Sequence, residues 1–116
     1  MQCTRDFIFL LLIVFTRQIS AQDTYKKEGF ASYYHDKFED RQTSSGEKFH
    51  QKKMTCAHRT LPFGTMLRVT NLANNKEVVV TVTDRGPFKK GRIIDLSRAA
   101  AKKLDFIKDG CTKVQI

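Results

Sequence analysis

The stretch TDRGPFKKGRIIDLS, residues 83–97, decides the fold of this chain. An apolar run, residues 78–82, leads into Asp84, and the turn residues Gly86 and Pro87 follow directly. Valine-rich runs favour strands, whereas glycine and proline end them. A side chain at a strand end is held by a rigid sheet and still meets solvent. The stretch therefore predicts a sheet protein with a functional group at Asp84.

A β-hairpin is predicted just before this stretch. Residues 65–70 alternate in polarity, and residues 77–83 are β-branched and apolar. Asn74 and Asn75 lie between the two segments and tolerate a positive φ. Three consecutive valines, residues 78–80, predict a strand that is buried on both faces.

The other predicted elements are short. Residues 29–34 and 112–116 have strand patterns, and residues 36–53 form a long polar loop with room for one helical turn. Residues 98–104 predict a helix that begins after the N-cap Ser97. Short strands, one helix and frequent turns are typical of a compact barrel.

The N-terminus has the pattern of a secretory signal peptide. Residues 7–15 are an unbroken apolar run, and cleavage is expected after Ala21. The run is far shorter than the about 20 residues of a membrane-spanning helix, and an uncleaved anchor is the alternative. The predicted organisation is a signal peptide over residues 1–21, a polar leader over residues 22–28 and one domain over residues 29–116.

Charge and cysteine position constrain the partners and the location. The formal net charge is +9, so we expect an anionic partner in the cell envelope or a basic surface that serves solubility. Cys3 precedes the apolar run, whereas a lipid-bearing cysteine would follow it. We therefore expect secretion to the periplasm or cell surface without lipidation or a stable membrane anchor, and no nucleic-acid partner.

Two cysteines, Cys56 and Cys111, survive signal-peptide removal. In an oxidising compartment an even pair suggests a disulfide. Two separate buried thiols are the alternative, because a sequence does not give the distance between the two α carbons.

Four runs in order resemble the RlpA (rare lipoprotein A) family: GFASYY at 29–34, TSSGE at 43–47, TCAHRTLPFGT at 55–65, and the opening stretch. The resemblance extends over residues 29–116. Members are double-psi β-barrel proteins of the bacterial envelope, and characterised ones are endolytic peptidoglycan transglycosylases. The resemblance implies a mainly β fold, a six-stranded double-psi β-barrel with one or two short helices, and an enzyme.

The resemblance implies three catalytic residues: Asp84, Glu47 and His58. The implied reaction cleaves the bond between N-acetylmuramic acid (MurNAc) and N-acetylglucosamine (GlcNAc) without water. An acid protonates the glycosidic oxygen, and a base then frees the MurNAc C6 hydroxyl to attack C1, which leaves a 1,6-anhydro end. One carboxyl group can do both in turn, and Asp84 is the first choice. Its alternative role is to cap the Gly-Pro turn.

Each of the other candidates has a structural alternative. Glu47 could assist proton transfer or be an exposed loop residue. His58 could bind a substrate oxygen or bond to backbone in a tight turn, and the Thr55 hydroxyl could support it. Arg85 would lower the pKa of Asp84 if its guanidinium faced the carboxylate, and it could instead bind the glycan or pair with Asp95.

Aromatic side chains are candidates for sugar contact. Tyr33 is assigned to substrate binding together with Thr55 and Arg85, and Tyr33 alternates with Tyr34, so only one of the two can face a groove. The two phenylalanines of the motif runs, Phe63 and Phe88, are expected to be packing residues.

Other chemistries lack support in the sequence. The histidines and cysteines do not have the spacing of metal ligands, so no metal and no cofactor are predicted. The predicted partner is the peptidoglycan glycan strand, including strands without stem peptides, and the predicted state is a monomer. Because the sequence ends at Ile116 without a further glycan-binding domain, we expect the barrel itself to supply the affinity. The alternatives are a non-catalytic, expansin-like glycan-binding or wall-loosening module and a small secreted interaction protein.

Overall fold

The computed structural model describes residues 25–116. The predicted signal peptide and the first residues of the predicted leader lie outside the described residues. The described part contains six strands and one α-helix: β1 (Glu28–Tyr33), β2 (Thr55–Ala57), β3 (Met66–Asn71), β4 (Glu77–Asp84), β5 (Arg92–Leu96), α1 (Arg98–Lys103) and β6 (Cys111–Gln115). A single 3-10 turn, Asp36–Phe38, follows β1.

The six strands close into a barrel in the order β1-β5-β2-β4-β3-β6. The pairs β1/β5 and β2/β4 are parallel, and the other four pairs are antiparallel. A closed barrel has no free sheet edge, so even the three-residue strand β2 is fully paired. The predicted mainly β fold with six strands is confirmed.

The barrel interior is filled by alternate residues of the strands, and helix α1 adds Ala100 and Ala101 to the same core. Ser97 caps the helix as predicted, because its side chain accepts the Ala100 N–H. The chain leaves the helix through Asp105, whose φ of 61° lies in the left-handed region without a glycine. Within residues 25–116, no helix has the length and apolar content needed to cross a membrane.

The hairpin β3–β4 is present, and Asn75 has a positive φ of 63° at its turn. The prediction that residues 78–80 are buried on both faces is wrong. Val78 and Val80 point into the core, whereas Val79 points outward and is 45% exposed. A barrel strand has one inner and one outer face, so three consecutive valines cannot all be inside.

The long loop between β1 and β2 is folded onto the barrel. It contains the 3-10 turn and an isolated bridge between Gln42 and Lys48. The buried Gln51 fixes its end, because its side chain donates to the Tyr34 carbonyl oxygen at 2.8 Å and accepts the Arg98 N–H at 2.7 Å. These bonds join the loop to the end of β1 and to the start of α1.

The suggested disulfide is not formed, since Cys56 and Cys111 are both free. Cys56 lies on β2 with its side chain buried, whereas Cys111 lies exposed on β6. Two strands separate β2 from β6 in either direction around the barrel. The two side chains therefore lie on strands that do not pair with each other, one in the barrel interior and one in solvent, whereas a disulfide requires α carbons within about 7 Å.

The barrel begins earlier than the predicted boundary at residue 29. Glu28 is already the first residue of β1, and Lys27 exchanges two backbone hydrogen bonds with Ile116, of 3.3 and 2.9 Å. The described end of the predicted leader is therefore part of the paired structure.

Candidate active site

The ends of β2 and β4 lie side by side and carry two of the predicted catalytic residues. Ala57 is the register partner of Asp84, and the His58 N–H donates to the Asp84 carbonyl oxygen at 3.0 Å. Because the two strands are parallel, both continue into loops at the same end of the barrel. Residues 26 positions apart in sequence thus meet at one place.

The Asp84 carboxylate accepts three hydrogen bonds. Tyr34 Oη donates to Oδ2 at 2.5 Å, and the backbone N–H groups of Ser44 and Arg85 each donate to Oδ1 at 2.9 Å. Partial burial acts to raise the pKa of Asp84, but these donors outweigh it and hold the pKa below its ordinary value. Asp84 is therefore ionised and fixed in orientation at neutral pH.

Tyr34, to which the sequence pattern assigns no role, completes this site. Its ring stacks on Phe49 with 4.2 Å between centroids and meets Phe38 edge-on at 5.7 Å. Burial, followed by the hydrogen bond to Asp84, raises the pKa of the phenol, so Tyr34 stays a proton donor. The alternation of residues 33 and 34 indicated that one of them would face the site.

Tyr33, which was assigned to substrate binding, faces away from Asp84. Its hydroxyl donates to the Ile107 carbonyl oxygen at 2.8 Å, and its ring packs edge-on against Phe106. Successive strand residues point to opposite sides, and the core contact fixes which one points inward.

His58 is 5% exposed and held by the loop that follows β2. Its Nδ1 accepts the backbone N–H groups of Thr60 at 3.2 Å and Leu61 at 3.1 Å, so the proton of the neutral ring lies on Nε2. Nε2 lies 3.4 Å from Tyr25 Oη. Burial, followed by nearby cationic side chains, lowers the pKa of His58, which keeps the ring neutral.

Thr55 and Glu47 lie at different distances from this centre. Thr55 begins β2 and pairs with Thr81, three residues before Asp84, while the support of His58 comes from backbone groups. Glu47 ends a turn, residues 43–47, whose Ser44 N–H reaches Asp84. The side chain of Glu47 is exposed, so the structure brings its turn to Asp84 and leaves its carboxylate in solvent.

The guanidinium of Arg85 points away from the Asp84 carboxylate. Its Nη1 donates to the carbonyl oxygens of His58 at 3.1 Å and Leu61 at 2.8 Å, and the guanidinium lies 4.0 Å from the centroid of the Phe63 ring. Arg85 acts on Asp84 through its backbone N–H, while its side chain organises the His58 loop.

A second carboxylate, Asp95, lies two strands from Asp84. Ala57 of β2 is the register partner of both Asp84 on β4 and Asp95 on β5. Asp95 accepts a hydrogen bond from the Ser32 hydroxyl, and its charge contributes to the raised pKa of Tyr34. In the sequence, Asp95 is recognisable as an aspartate between two apolar residues, Ile94 and Leu96, and both of these are buried in the structure.

Among residues 25–116, one group of side chains could hold a metal ion, namely Glu39, Asp40 and His50. His50 Nδ1 lies 2.9 Å from Glu39 Oε2 and 3.4 Å from Asp40 Oδ1. His50 contacts both carboxylates at the surface, and we assign the three side chains as a polar surface cluster.

Comparison with known proteins identifies the family. A family described as lytic transglycolase matches residues 26–116. The chain belongs to this family. It is 48% identical over 101 residues to the endolytic peptidoglycan transglycosylase RlpA of Haemophilus influenzae, a match that covers 87% of this chain and 35% of the relative. It is 56% identical over 82 residues to the probable RlpA of Aquifex aeolicus, covering 71% and 36%. The predicted RlpA membership is confirmed, and the chain spans about a third of the length of these relatives.

Solved structures confirm the predicted double-psi β-barrel. The Streptomyces papain inhibitor superposes with a TM-score of 0.63 at 21% identity, covering 79% of this chain and 92% of the inhibitor. The Clavibacter michiganensis expansin gives a TM-score of 0.60 at 21% identity, covering 78% and 48%. At this identity the likeness concerns the fold alone.

Proposed function

We propose that this lytic transglycolase family member is a peptidoglycan lytic transglycosylase. It cleaves the MurNAc–GlcNAc bond of glycan strands and leaves 1,6-anhydro-MurNAc ends. The observation that carries the proposal is the Asp84 carboxylate, which three donors orient at a strand end whose main chain is hydrogen-bonded to the His58 loop. The names of the relatives support the substrate class.

Asp84 is the acid and base of the proposed reaction. The protonated carboxyl gives its proton to the glycosidic oxygen as the bond to C1 breaks. The resulting carboxylate then takes the proton of the MurNAc C6 hydroxyl while that oxygen bonds to C1. The proton gained in the second step restores the acid form, so the cycle consumes no water and needs one carboxyl group.

The proton state of Asp84 must change when substrate binds. In the free protein the three donors keep the carboxylate ionised, and the protonated form needed for the first step is the minor one. A sugar seated on the carboxylate excludes water from it, and loss of water raises the pKa of a carboxyl group. Substrate binding and proton uptake are thus coupled in this proposal.

Tyr34 and His58 position the reacting groups. Tyr34 holds one oxygen of Asp84, while the backbone N–H groups of Ser44 and Arg85 hold the other. The neutral ring of His58 presents an Nε2–H that can donate to a substrate oxygen in place of Tyr25 Oη. In this proposal Glu47, exposed on the adjoining turn, contacts the sugar or assists proton transfer.

The products of digestion test this proposal. Purified peptidoglycan and peptide-free glycan strands are incubated with wild type and with Asp84→Asn, and the ends are identified by mass spectrometry. We expect 1,6-anhydro ends from wild type and at least a hundredfold fewer from Asp84→Asn, because loss of a general acid costs about 10²–10⁴ in rate. Hydrated reducing ends would instead indicate a hydrolase.

A second candidate function is non-catalytic glycan binding of the expansin type. The lowered pKa of Asp84 favours it, since an ionised carboxylate cannot protonate a leaving group. Its signature is binding of glycan strands by wild type and Asp84→Asn with no new ends from either. In both cases we propose that the protein works in the periplasm or at the cell surface on peptidoglycan strands.

A further inference from the structure

Two loops border Asp84, and each holds the other through an arginine. The first loop, residues 58–65, follows β2, and the second, residues 85–91, follows β4. Arg59 of the first loop donates to three carbonyl oxygens in or next to the second: Pro87 at 2.6 Å, Lys89 at 2.9 Å and Arg92 at 3.0 Å.

Arg85 of the second loop makes the reciprocal contacts. Its guanidinium donates to the carbonyl oxygens of His58 and Leu61 in the first loop. We call this exchange the arginine clasp, Arg59 and Arg85. Five backbone carbonyl groups are bonded by two guanidinium groups, so both loops are ordered before any ligand is bound.

Each clasped loop presents an aromatic ring to solvent. Phe88 is 81% exposed although the clasp holds the carbonyl groups of both its neighbours, Pro87 and Lys89. Phe63 is 43% exposed, and Arg85 lies over its ring at 4.0 Å. The expectation that Phe88 is a packing residue is therefore wrong, whereas Phe63 packs in part, against Arg85. Single exposed apolar side chains are common on protein surfaces, but two such rings on neighbouring clasped loops that border Asp84 are candidates for a contact surface.

The surroundings of these rings indicate what they bind. Phe88 is four residues from Asp84, and Phe63 is five residues from His58, so both lie on loops that leave the candidate site. The exposed Lys89 and Lys90 follow Phe88 directly. Aromatic rings pack against the C–H faces of pyranoses, and each MurNAc residue carries an anionic lactyl carboxylate when no stem peptide is attached.

We infer that Phe88 and Phe63 are stacking platforms for pyranose rings of the glycan strand that binds at Asp84. The inference rests on the proposed function for the identity of the strand. The clasp supplies preorganisation, because the backbone that carries each ring does not have to be ordered when the sugar binds. Lys89 and Lys90 pair with lactyl carboxylates next to the ring of Phe88.

Fluorescence tests the platforms separately from catalysis. The chain contains no tryptophan, so Phe88→Trp and Phe63→Trp each introduce a single reporter. Both are made with Asp84→Asn to prevent turnover and titrated with peptide-free glycan strands. Leu72→Trp, at the hairpin turn before β4, is the control, since Leu72 is also exposed. We expect a saturable emission change at positions 88 and 63 and none at 72. No change at positions 88 and 63 would overturn the inference.

Steady-state kinetics supply the second measurement. Phe88→Ala should raise KM up to about tenfold, which corresponds to an aromatic contact of about 1.4 kcal/mol, whereas Phe88→Tyr should retain the wild-type KM. Leu72→Ala should leave KM unchanged. Wild-type KM in Phe88→Ala, with anhydro ends still formed, would overturn the platform and leave the proposed function intact. An emission change without anhydro ends from wild type would overturn the proposed function and leave the platform intact.

Discussion

The environment of Asp84 lowers the pKa of a carboxyl group that the proposed reaction needs in its protonated form. A general acid must be protonated, yet Tyr34, Ser44 and Arg85 all donate hydrogen bonds to this carboxylate and lower its pKa. The lowering comes from short-range donors and not from a facing guanidinium, because the Arg85 side chain points to the His58 loop. A substrate that displaces one donor would therefore change the proton affinity of Asp84 directly.

Tyr34→Phe tests how far one hydroxyl donor lowers the pKa of Asp84. Removal of the hydroxyl takes one donor from the Asp84 carboxylate, so its pKa rises, and the kcat/KM limb that reports Asp84 moves to higher pH. The measurement is the pH profile of anhydro-product formation. Tyr33→Phe is the matched control, because its hydroxyl bonds the Ile107 carbonyl oxygen and should leave the limb in place. If this limb of the kcat/KM profile lies at the same pH in both variants, the Tyr34 hydroxyl does not control the pKa of Asp84 and Tyr34 acts by packing alone.

At the scale of elements, Asn71 joins three parts of the chain. Its side chain is buried and donates to the Leu104 carbonyl oxygen, at the end of α1, at 2.8 Å. Its Oδ1 accepts the Ala73 N–H of the hairpin turn and the Thr112 hydroxyl of β6, each at 3.0 Å. A buried amide that makes three hydrogen bonds to three parts of the chain fixes the helix end, the hairpin and the last strand relative to one another.

Asn71→Ala should destabilise the protein by about 2–3 kcal/mol, since it removes the three hydrogen bonds of a buried side chain. Chemical denaturation gives the free energy of unfolding. Asn74→Ala is the control: Asn74 is exposed, and its side chain also donates to the Leu104 carbonyl oxygen, at 3.0 Å. We expect about 1 kcal/mol or less there, because Asn71 still satisfies that carbonyl group. If both variants lose the same free energy of unfolding, the stabilisation comes from the hairpin turn and not from the buried Asn71 amide.

At the scale of the whole molecule, the closed barrel keeps Cys56 and Cys111 apart. Cys56 points into the core, where burial, followed by the charge of Asp95, raises the pKa of its thiol to about 12. Cys111 lies on the opposite side of the strand order with its side chain in solvent. The stability of the domain therefore comes from the packed interior and the paired strands, without a covalent cross-link.

Alkylation of the native protein should label Cys111 and leave Cys56 unmodified until the barrel unfolds, because only the thiolate of an accessible cysteine reacts. Peptide mass mapping before and after denaturation identifies each site. A reducing agent should leave the melting temperature unchanged. A peptide pair linked through Cys56 and Cys111 would contradict the strand order.

Local sequence patterns were sufficient for several features. The hairpin turn, the Ser97 cap and the strand end at Asp84 depend on residues within a few positions of one another, and all are present in the structure. The strands β2 and β5 had no such signal. β2 is only three residues long, and both strands are defined by the neighbouring strands with which they pair.

The sequence by itself determined the family, the barrel class and the location of the acidic residue, because motif order and local turn chemistry survive without tertiary contacts. Only the tertiary structure decided that Tyr34 and not Tyr33 reaches Asp84, that the guanidinium of Arg85 turns away, and that Phe88 is exposed. Each of these depends on strand register and on loops that meet across the barrel. Distant segments set those geometries, so no local pattern could specify them.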